Sequence, residues 1–218
     1  MLSVVIPALN AAEVLPACIE RMAAADEIIV ADGGSIDETP AIARAAGARL
    51  IVAPKGRGSQ LRAGGEAAKG DWLLFLHADT LPGRGWPEAV AAHRQVYPGS
   101  AACFRFRLAA REWQARVVER AVAARVSLLS LPYGDQGLLV PRALYESLGG
   151  YRPLPLMEDV DLVRRIGRRR LEVLSEEAVT SADRWRRDGW LRRSGRNLLC
   201  LALWRAGASP ERVARLYG

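Results

Sequence analysis

The stretch Gly70-Asp71-Trp72-Leu73-Leu74-Phe75-Leu76-His77-Ala78-Asp79-Thr80 sets a short apolar run directly against an acid. Leu73 to Leu76 is too short for a helix and has no polar face, as expected of a strand covered on both sides of a sheet. His77-Ala78-Asp79 ends the run, with Pro82 and Gly83 just beyond. At the carboxyl end of a central parallel strand, where open α/β sheets bind ligands, Asp79 would be placed to hold a divalent cation beside a phosphorylated ligand. An N-cap or turn aspartate is the plainer alternative.

Working outward, the first half alternates strand and helix. Strands are expected at Leu2 to Pro7, Glu27 to Ala31, Ala48 to Ala53 and Leu73 to Leu76. Helices are expected from Glu13 to Ala25, up to about Ala46, and up to Lys69. The second of these is started by Ser35 with Glu38, or by Thr39 with Pro40, and is closed by Gly47. Such alternation implies a parallel sheet with right-handed crossovers. Further on, Ala101 to Leu108 alternates as a strand with one wet face. Ala110, Trp113, Val117, Ala121, Ala124 and Leu128 recur at helical spacing, which predicts a long helix with that stripe in the core, or less simply in a dimer seam. A short strand at Leu138 to Val140, a helix from Arg142 to Leu148 closed by Gly149-Gly150, a helix from Glu158 to about Arg169 and a strand at Leu171 to Leu174 follow. An arginine-rich helical end completes the chain. With no repeat and no linker, one α/β domain over 1–218 is expected.

Composition narrows the class. Half of the 218 residues are hydrophobic and 25% are charged, ordinary for a globular protein. Cys18, Cys103 and Cys200 are odd in number and far apart, which suggests neither a disulfide framework nor a zinc site and suits a reducing cytoplasm. The chain opens on a strand-like Leu2-Ser3-Val4-Val5-Ile6, so no signal peptide is expected, and no apolar run approaches the ~20 residues of a membrane helix. The net charge is +7, with only Lys55 and Lys69 as lysines, and the excess arginine lies after Tyr151. A phosphorylated substrate or an anionic membrane surface would explain it. No nucleic-acid-binding motif accompanies the charge, so no nucleic-acid partner is expected.

Four loops follow the four parallel strands: Pro7-Ala8-Leu9-Asn10, Asp32-Gly33-Gly34-Ser35, the basic glycine-rich run from Lys55 through Gly58 and Arg62 to Gly65, and His77-Ala78-Asp79. Parallel strands bring all four to one sheet edge, where they can line one crevice. Glycine lets backbone approach a ligand, and Lys55, Arg57 and Arg62 offer charge to phosphates. Neither a P-loop nor a dinucleotide fingerprint is present. A fifth element, Pro155-Leu156-Met157-Glu158-Asp159-Val160, puts two acids in a first helical turn. The helix dipole alone would favour them there; the alternative is that one takes a proton from an attacking hydroxyl.

These segments resemble the family 2 glycosyltransferases, which have the GT-A fold: a Rossmann-like, mainly parallel sheet flanked by helices. The resemblance rests on Val4 through Asn10, Glu27 through Ser35, Ala68 through Asp79, and Gly149-Gly150-Tyr151 with Glu158-Asp159. A small soluble bacterial branch is suggested by His77-Ala78-Asp79-Thr80 and Pro132-Tyr133-Gly134-Asp135-Gln136. The resemblance implies inverting transfer of a sugar from a nucleoside diphosphate donor, with UDP expected, to an acceptor hydroxyl. It implies Asp159 as the general base, and Pro7, Asn10, Asp32, Gly33, Gly58 and Arg62 around the donor nucleotide. Asp79 would hold Mn²⁺ or Mg²⁺. His77 replaces the first acid of the family's Asp-x-Asp, as a hydrogen-bonding neighbour or as a second ligand. Asp135, Gln136, Glu158, Arg184 and Trp185 are candidate contacts to the acceptor or the donor sugar. Trp185, Trp190 and Trp204 fit either a core with salt-bridged surroundings or a peripheral face against lipid headgroups at the inner membrane. Competing readings are a nucleotide-sugar scaffold without turnover, and a sugar-phosphate nucleotidyltransferase. The latter calls for its basic glycine loop after the first strand, not the third.

Overall fold

Leu2–Ala8 (β1), Leu15–Arg21 (α1), Glu27–Asp32 (β2), Thr39–Ala45 (α2), Arg49–Val52 (β3), Arg57–Ala67 (α3) and Trp72–Phe75 (β4) form the alternating first half. The computed structural model describes residues 1–217. β1 lies between β2 and β4, β3 flanks β2, and all of these pairings are parallel. Side chains alternate across this sheet. Val4, Ile6, Leu74 and Leu76 enter one apolar layer, while Val5, Leu73 and Phe75 enter the other. Every residue of β4 is buried, as its unbroken apolar run requires. Burial of each such side chain contributes about 1.5–3 kcal/mol.

The second half comprises Thr80–Pro82 (β5), Trp86–Val96 (α4), Ala101–Leu108 (β6), Trp113–Leu129 (α5), Leu138–Pro141 (β7), Arg142–Ser147 (α6), Glu158–Ile166 (α7), Leu171–Thr180 (β8), Asp183–Asp188 (α8), Trp190–Arg205 (α9) and Pro210–Tyr217 (α10). It extends the sheet to eight strands in the order β3-β2-β1-β4-β7-β6-β8-β5. β7 runs antiparallel to β4 and to β6, and β8 runs parallel to β6. The carboxyl ends of β4, β6 and β8 and the amino end of β7 therefore share one edge. β5 follows β4 directly in sequence yet pairs at the far side of the sheet with β8, Thr80 opposite Thr180, so the sheet curls around that edge.

Several expectations are corrected. α1 is shorter than the expected Glu13–Ala25 helix, with Pro16 in its first turn. β8 has ten residues rather than four, and β5 and α4 had no counterpart in the sequence reading. The glycine-rich run is not a loop but most of α3. A Cβ at Gly64 would lie 2.2 Å from Val5 Cγ1, and one at Gly58 would lie 2.5 Å from the Arg152 carbonyl oxygen, so glycine lets α3 sit against sheet and neighbouring loop. The apolar stripe of α5 is not core: Trp113 is 71% exposed and Leu128 70%. The face turned inward carries Ala115, Glu119 and Val126, because Glu119 accepts the Leu108 N–H and pairs with Arg107 and Arg116.

The three cysteines are unpaired and buried. Burial pushes the thiols of Cys18 and Cys103 up to about 12, which makes them inert packing groups. No helix among the described residues is long and apolar enough to cross a membrane.

Candidate active site

A cavity of about 300 Å³ opens at the shared sheet edge. His77 and Asp79 reach it from the end of β4, and Gly134 and Asp135 from a 3₁₀ turn that leads into β7. Asp159 reaches it from the first turn of α7, and Arg57 from the start of α3. Arg184 and Trp185 on α8 and Arg193 and Asn197 on α9 close the opposite wall. Residues more than 100 positions apart thus meet because four strand ends share one edge.

The three acids of the first α7 turn have separate partners. Asp161 pairs with Arg152 at 3.1 Å and with Arg165, so its role is structural. Glu158 is fully buried and bonded to Arg57. Asp159 accepts the Gly134 N–H at 2.7 Å and the Val160 N–H at 2.7 Å, which fixes its carboxylate in the cavity wall. Met157, just before this turn, has φ +64° and is buried. A left-handed non-glycine residue costs on the order of 1 kcal/mol and recurs where a backbone must aim a functional side chain.

His77 lies under Gly134, where a Cβ would approach its Nε2 to 2.5 Å. Burial, and then the charges of Arg57 and Arg184, hold the imidazole well below its ordinary value, so it is neutral. Its buried Nε2 has no hydrogen-bond partner among the described residues. Asp79 shares the same wall. Among the described residues no cluster of three His, Cys, Asp or Glu side chains could hold a metal. The Asp79 carboxylate in the cavity fits instead an ion that takes its remaining ligands from phosphate and water.

Asp135 is pushed up to about 6, chiefly by burial, against the pull of Arg125 and with the repulsion of Asp159 and Asp79. Its Oδ1 has no partner. An acid whose folded value lies above its ordinary 3.8 gives stability that is present in full below pH 4 and lost as pH rises through 6. Asp135→Asn is therefore expected to stabilise the metal-free protein by about 3 kcal/mol at pH 7.5, with the gain vanishing near pH 4. Urea unfolding at the two pH values checks this; equal stabilities at pH 7.5 would refute it.

The remaining candidates lie elsewhere. Gln136 is buried and donates to the Phe104 carbonyl at 3.0 Å, anchoring the turn rather than lining the cavity. Pro7 is buried in β1, beside Ala31 of β2. Asn10, with φ +50°, accepts the Ile36 N–H at 3.0 Å and donates its own backbone N–H to Ser35 Oγ. Asp32 accepts N–H groups from Gly34 and Ser35. These bonds staple the β1 and β2 loops together. Gly33 stacks on Gln60, whose amide donates to the Ala8 and Ala31 carbonyls and closes the floor between the two strands. Gly58 packs on the chain at Arg152 and Leu154. Arg62 points outward and pairs with Glu66 at 2.8 Å. None of these lines the cavity, which abuts them through Arg57. Arg193, paired with Asp188 at 2.9 Å and bonded to the Tyr217 hydroxyl at 2.7 Å, was missed by sequence reasoning, as was Asn197. Arginine is so common after Tyr151 that only burial distinguishes Arg193.

A curled α/β sheet with stapled loops beyond its first two strands, and an acid- and arginine-lined cavity beside them, defines a ligand-binding fold of the nucleotide-crevice class. Residues 3–137 match the family model described as glycosyl transferase family 2, and the chain belongs to that family. A PGL/p-HBAD biosynthesis glycosyltransferase of Mycobacterium bovis is 42% identical over 90 residues, 36% of this chain. That stretch spans only 35% of the relative's length. Among solved structures, glucosyl-3-phosphoglycerate synthase of Mycobacterium tuberculosis, in complex with Mn²⁺, UDP-glucose and phosphoglyceric acid, superposes with a TM-score of 0.65. At 23% identity the superposition covers 95% of this chain and 80% of that one, a likeness of fold. The GT-A architecture implied by the resemblance is the one found.

Proposed function

We propose that the protein is an inverting glycosyltransferase that moves a sugar from a nucleoside diphosphate donor, UDP first among candidates, to an acceptor hydroxyl. The reading is carried by one observation: Asp79, His77, Asp159, Arg57 and Arg184 converge on a single cavity beside the β1 and β2 loops. Residues 1–80 would bind the nucleotide, with Pro7, Asn10, Asp32 and Gly33 around the base and ribose, and residues 81–218 would receive the acceptor. The donor-bound relative of like fold supports UDP and a divalent ion.

In this reading Asp159 takes the proton of the acceptor hydroxyl as its oxygen attacks the anomeric carbon from the face opposite the diphosphate. The sugar–phosphate bond breaks and its electron pair leaves with the diphosphate. Arg57 and Arg184 stabilise the charge that gathers there. Asp79, with the neutral His77 beside it, would hold Mn²⁺ or Mg²⁺, which when bound neutralises the leaving diphosphate. Buried, unpaired cysteines suit a reducing compartment.

Calorimetric titration with UDP, GDP and ADP, each with and without Mn²⁺, tests the donor side. Metal-dependent UDP binding is expected, weakened at least tenfold in Asp79→Ala. Absence of nucleotide binding under all conditions would overturn the reading in favour of a scaffold that keeps the fold without the chemistry.

A further inference from the structure

A second cavity, of about 370 Å³, lies between α5 and α9 and is lined by Phe106, Val118, Val122, Leu128, Leu198 and Leu201. The exposed stripe of α5 forms part of its wall through Ala121, Ala124 and Leu128. The groove is not separate from the candidate active site: Tyr133, Asp135, Trp185 and Asn197 line both cavities. Three of these four carry a buried polar atom without a partner, namely Asp135 Oδ1, Trp185 Nε1 and Asn197 Oδ1. Buried polar groups are nearly always bonded, so a cluster of orphans on one partition is where water or the polar groups of a ligand would find partners.

The groove's charge and rim favour one kind of occupant. Arg125 lines it with its guanidinium 3.4 Å from the Tyr133 ring centroid and pairs with no carboxylate among the described residues. On α5 the exposed Trp113 and Val117 share a face with Arg120, and on α9 Leu191 is exposed; Arg120 has no carboxylate partner among the described residues. Exposed apolar side chains set among unpaired arginines suit an anionic lipid surface.

We propose that the acceptor is a lipid-borne amphiphile whose apolar chain lies in the α5–α9 groove while its polar head passes Trp185, Asn197 and Asp135 to present a hydroxyl to Asp159. The inference rests on the transferase reading for the role of Asp159; the groove and its neck stand without it.

The test uses n-alkyl β-D-glucosides of six to ten carbons below their micelle concentrations, titrated calorimetrically into the full chain. Affinity is expected to rise up to about fourfold for each methylene added, as each enters apolar surroundings. Ala124→Trp, which fills the groove from an exposed position, and Leu198→Glu, which charges its rim, are each expected to abolish that dependence. Vesicles of phosphatidylcholine with phosphatidylglycerol should sediment the protein, and vesicles of phosphatidylcholine alone should do so far less. A flat chain-length series, a dependence that persists in both variants, or equal sedimentation by the two vesicles would overturn the proposal. So would a wild-type dimer that Ala124→Trp dissociates, which would assign the groove to a second copy. UDP binding is measured on the same samples. A flat series with UDP bound removes the groove proposal alone; a steep series without UDP binding removes the donor reading alone.

Discussion

Asp159→Asn is expected to lower the turnover of sugar transfer by at least about 100-fold, and by up to about 10⁴-fold, while UDP affinity stays within a few-fold of wild type. The amide is nearly isosteric and its oxygen can still accept one of the two N–H groups now held by the carboxylate, from Gly134 and Val160. It cannot take a proton from a hydroxyl at neutral pH. The measurement is transfer at saturating donor with calorimetry alongside, so that loss of the base is read separately from loss of binding. A variant that keeps more than a tenth of wild-type turnover would show that the proton goes elsewhere.

Arg57→Met produces the largest expected loss of stability. The Glu158 side chain is 1% exposed and its ionic partner is Arg57, so removing the guanidinium strands a charge in the interior. Breaking a buried pair in this way costs about 3–5 kcal/mol. Burial already raises Glu158 above its ordinary value. It therefore takes up a proton readily once the cation is gone, and the loss should be greatest at pH 8 and smaller at pH 5. Urea unfolding at both pH values reads this. The double variant Arg57→Met with Glu158→Leu removes both charges and should recover most of the stability without recovering donor affinity. Wild-type UDP binding by the double variant would reduce Arg57 to a structural residue.

Much of the first half was legible because its strands are short, apolar and bounded by glycine or acid, signals that depend on neighbours in sequence. Asp79 and Asp159 were singled out from local motifs, and the cavity contains both. What was not legible depended on distant partners. The sequence reading ends the strand at Leu174 and gives the rest to the helical end, yet β8 runs on to Thr180 because, beyond an irregularity opposite Cys103 and Arg105, β6 pairs with 177–180 and β5 with 178–180. Gly58, Gly64 and Gly65 carry a loop composition, but the close approach of β1, Tyr145 and the 152–154 backbone gives them a helical role. That choice rotates Arg62 to the surface and Arg57 into the site, an exchange no spacing rule announces. The α5 stripe has the period of a buried face, but Glu119 and its arginine partners turn the other side inward. Periodicity reports that a helix has an apolar side; only the tertiary fold decides whether protein or something else covers it.

The meeting of β4 with β7 also divides the sheet into a part built from local pairings and a part built from distant ones. Four residue pairs make that seam, and Arg142 ties across it to the carbonyls of Ala68 and Gly70. On one side the parallel strands close over short stretches of chain. On the other, β6 must find β8 with Ala101 opposite Leu171, a pairing of high sequence separation and therefore slow to form. Asp79 lies at the end of a strand on the local side, whereas Asp159 and Arg184 come from the part of the chain beyond the seam. The cavity is therefore the property of neither half of the chain alone and exists only across the seam that β4 and β7 make.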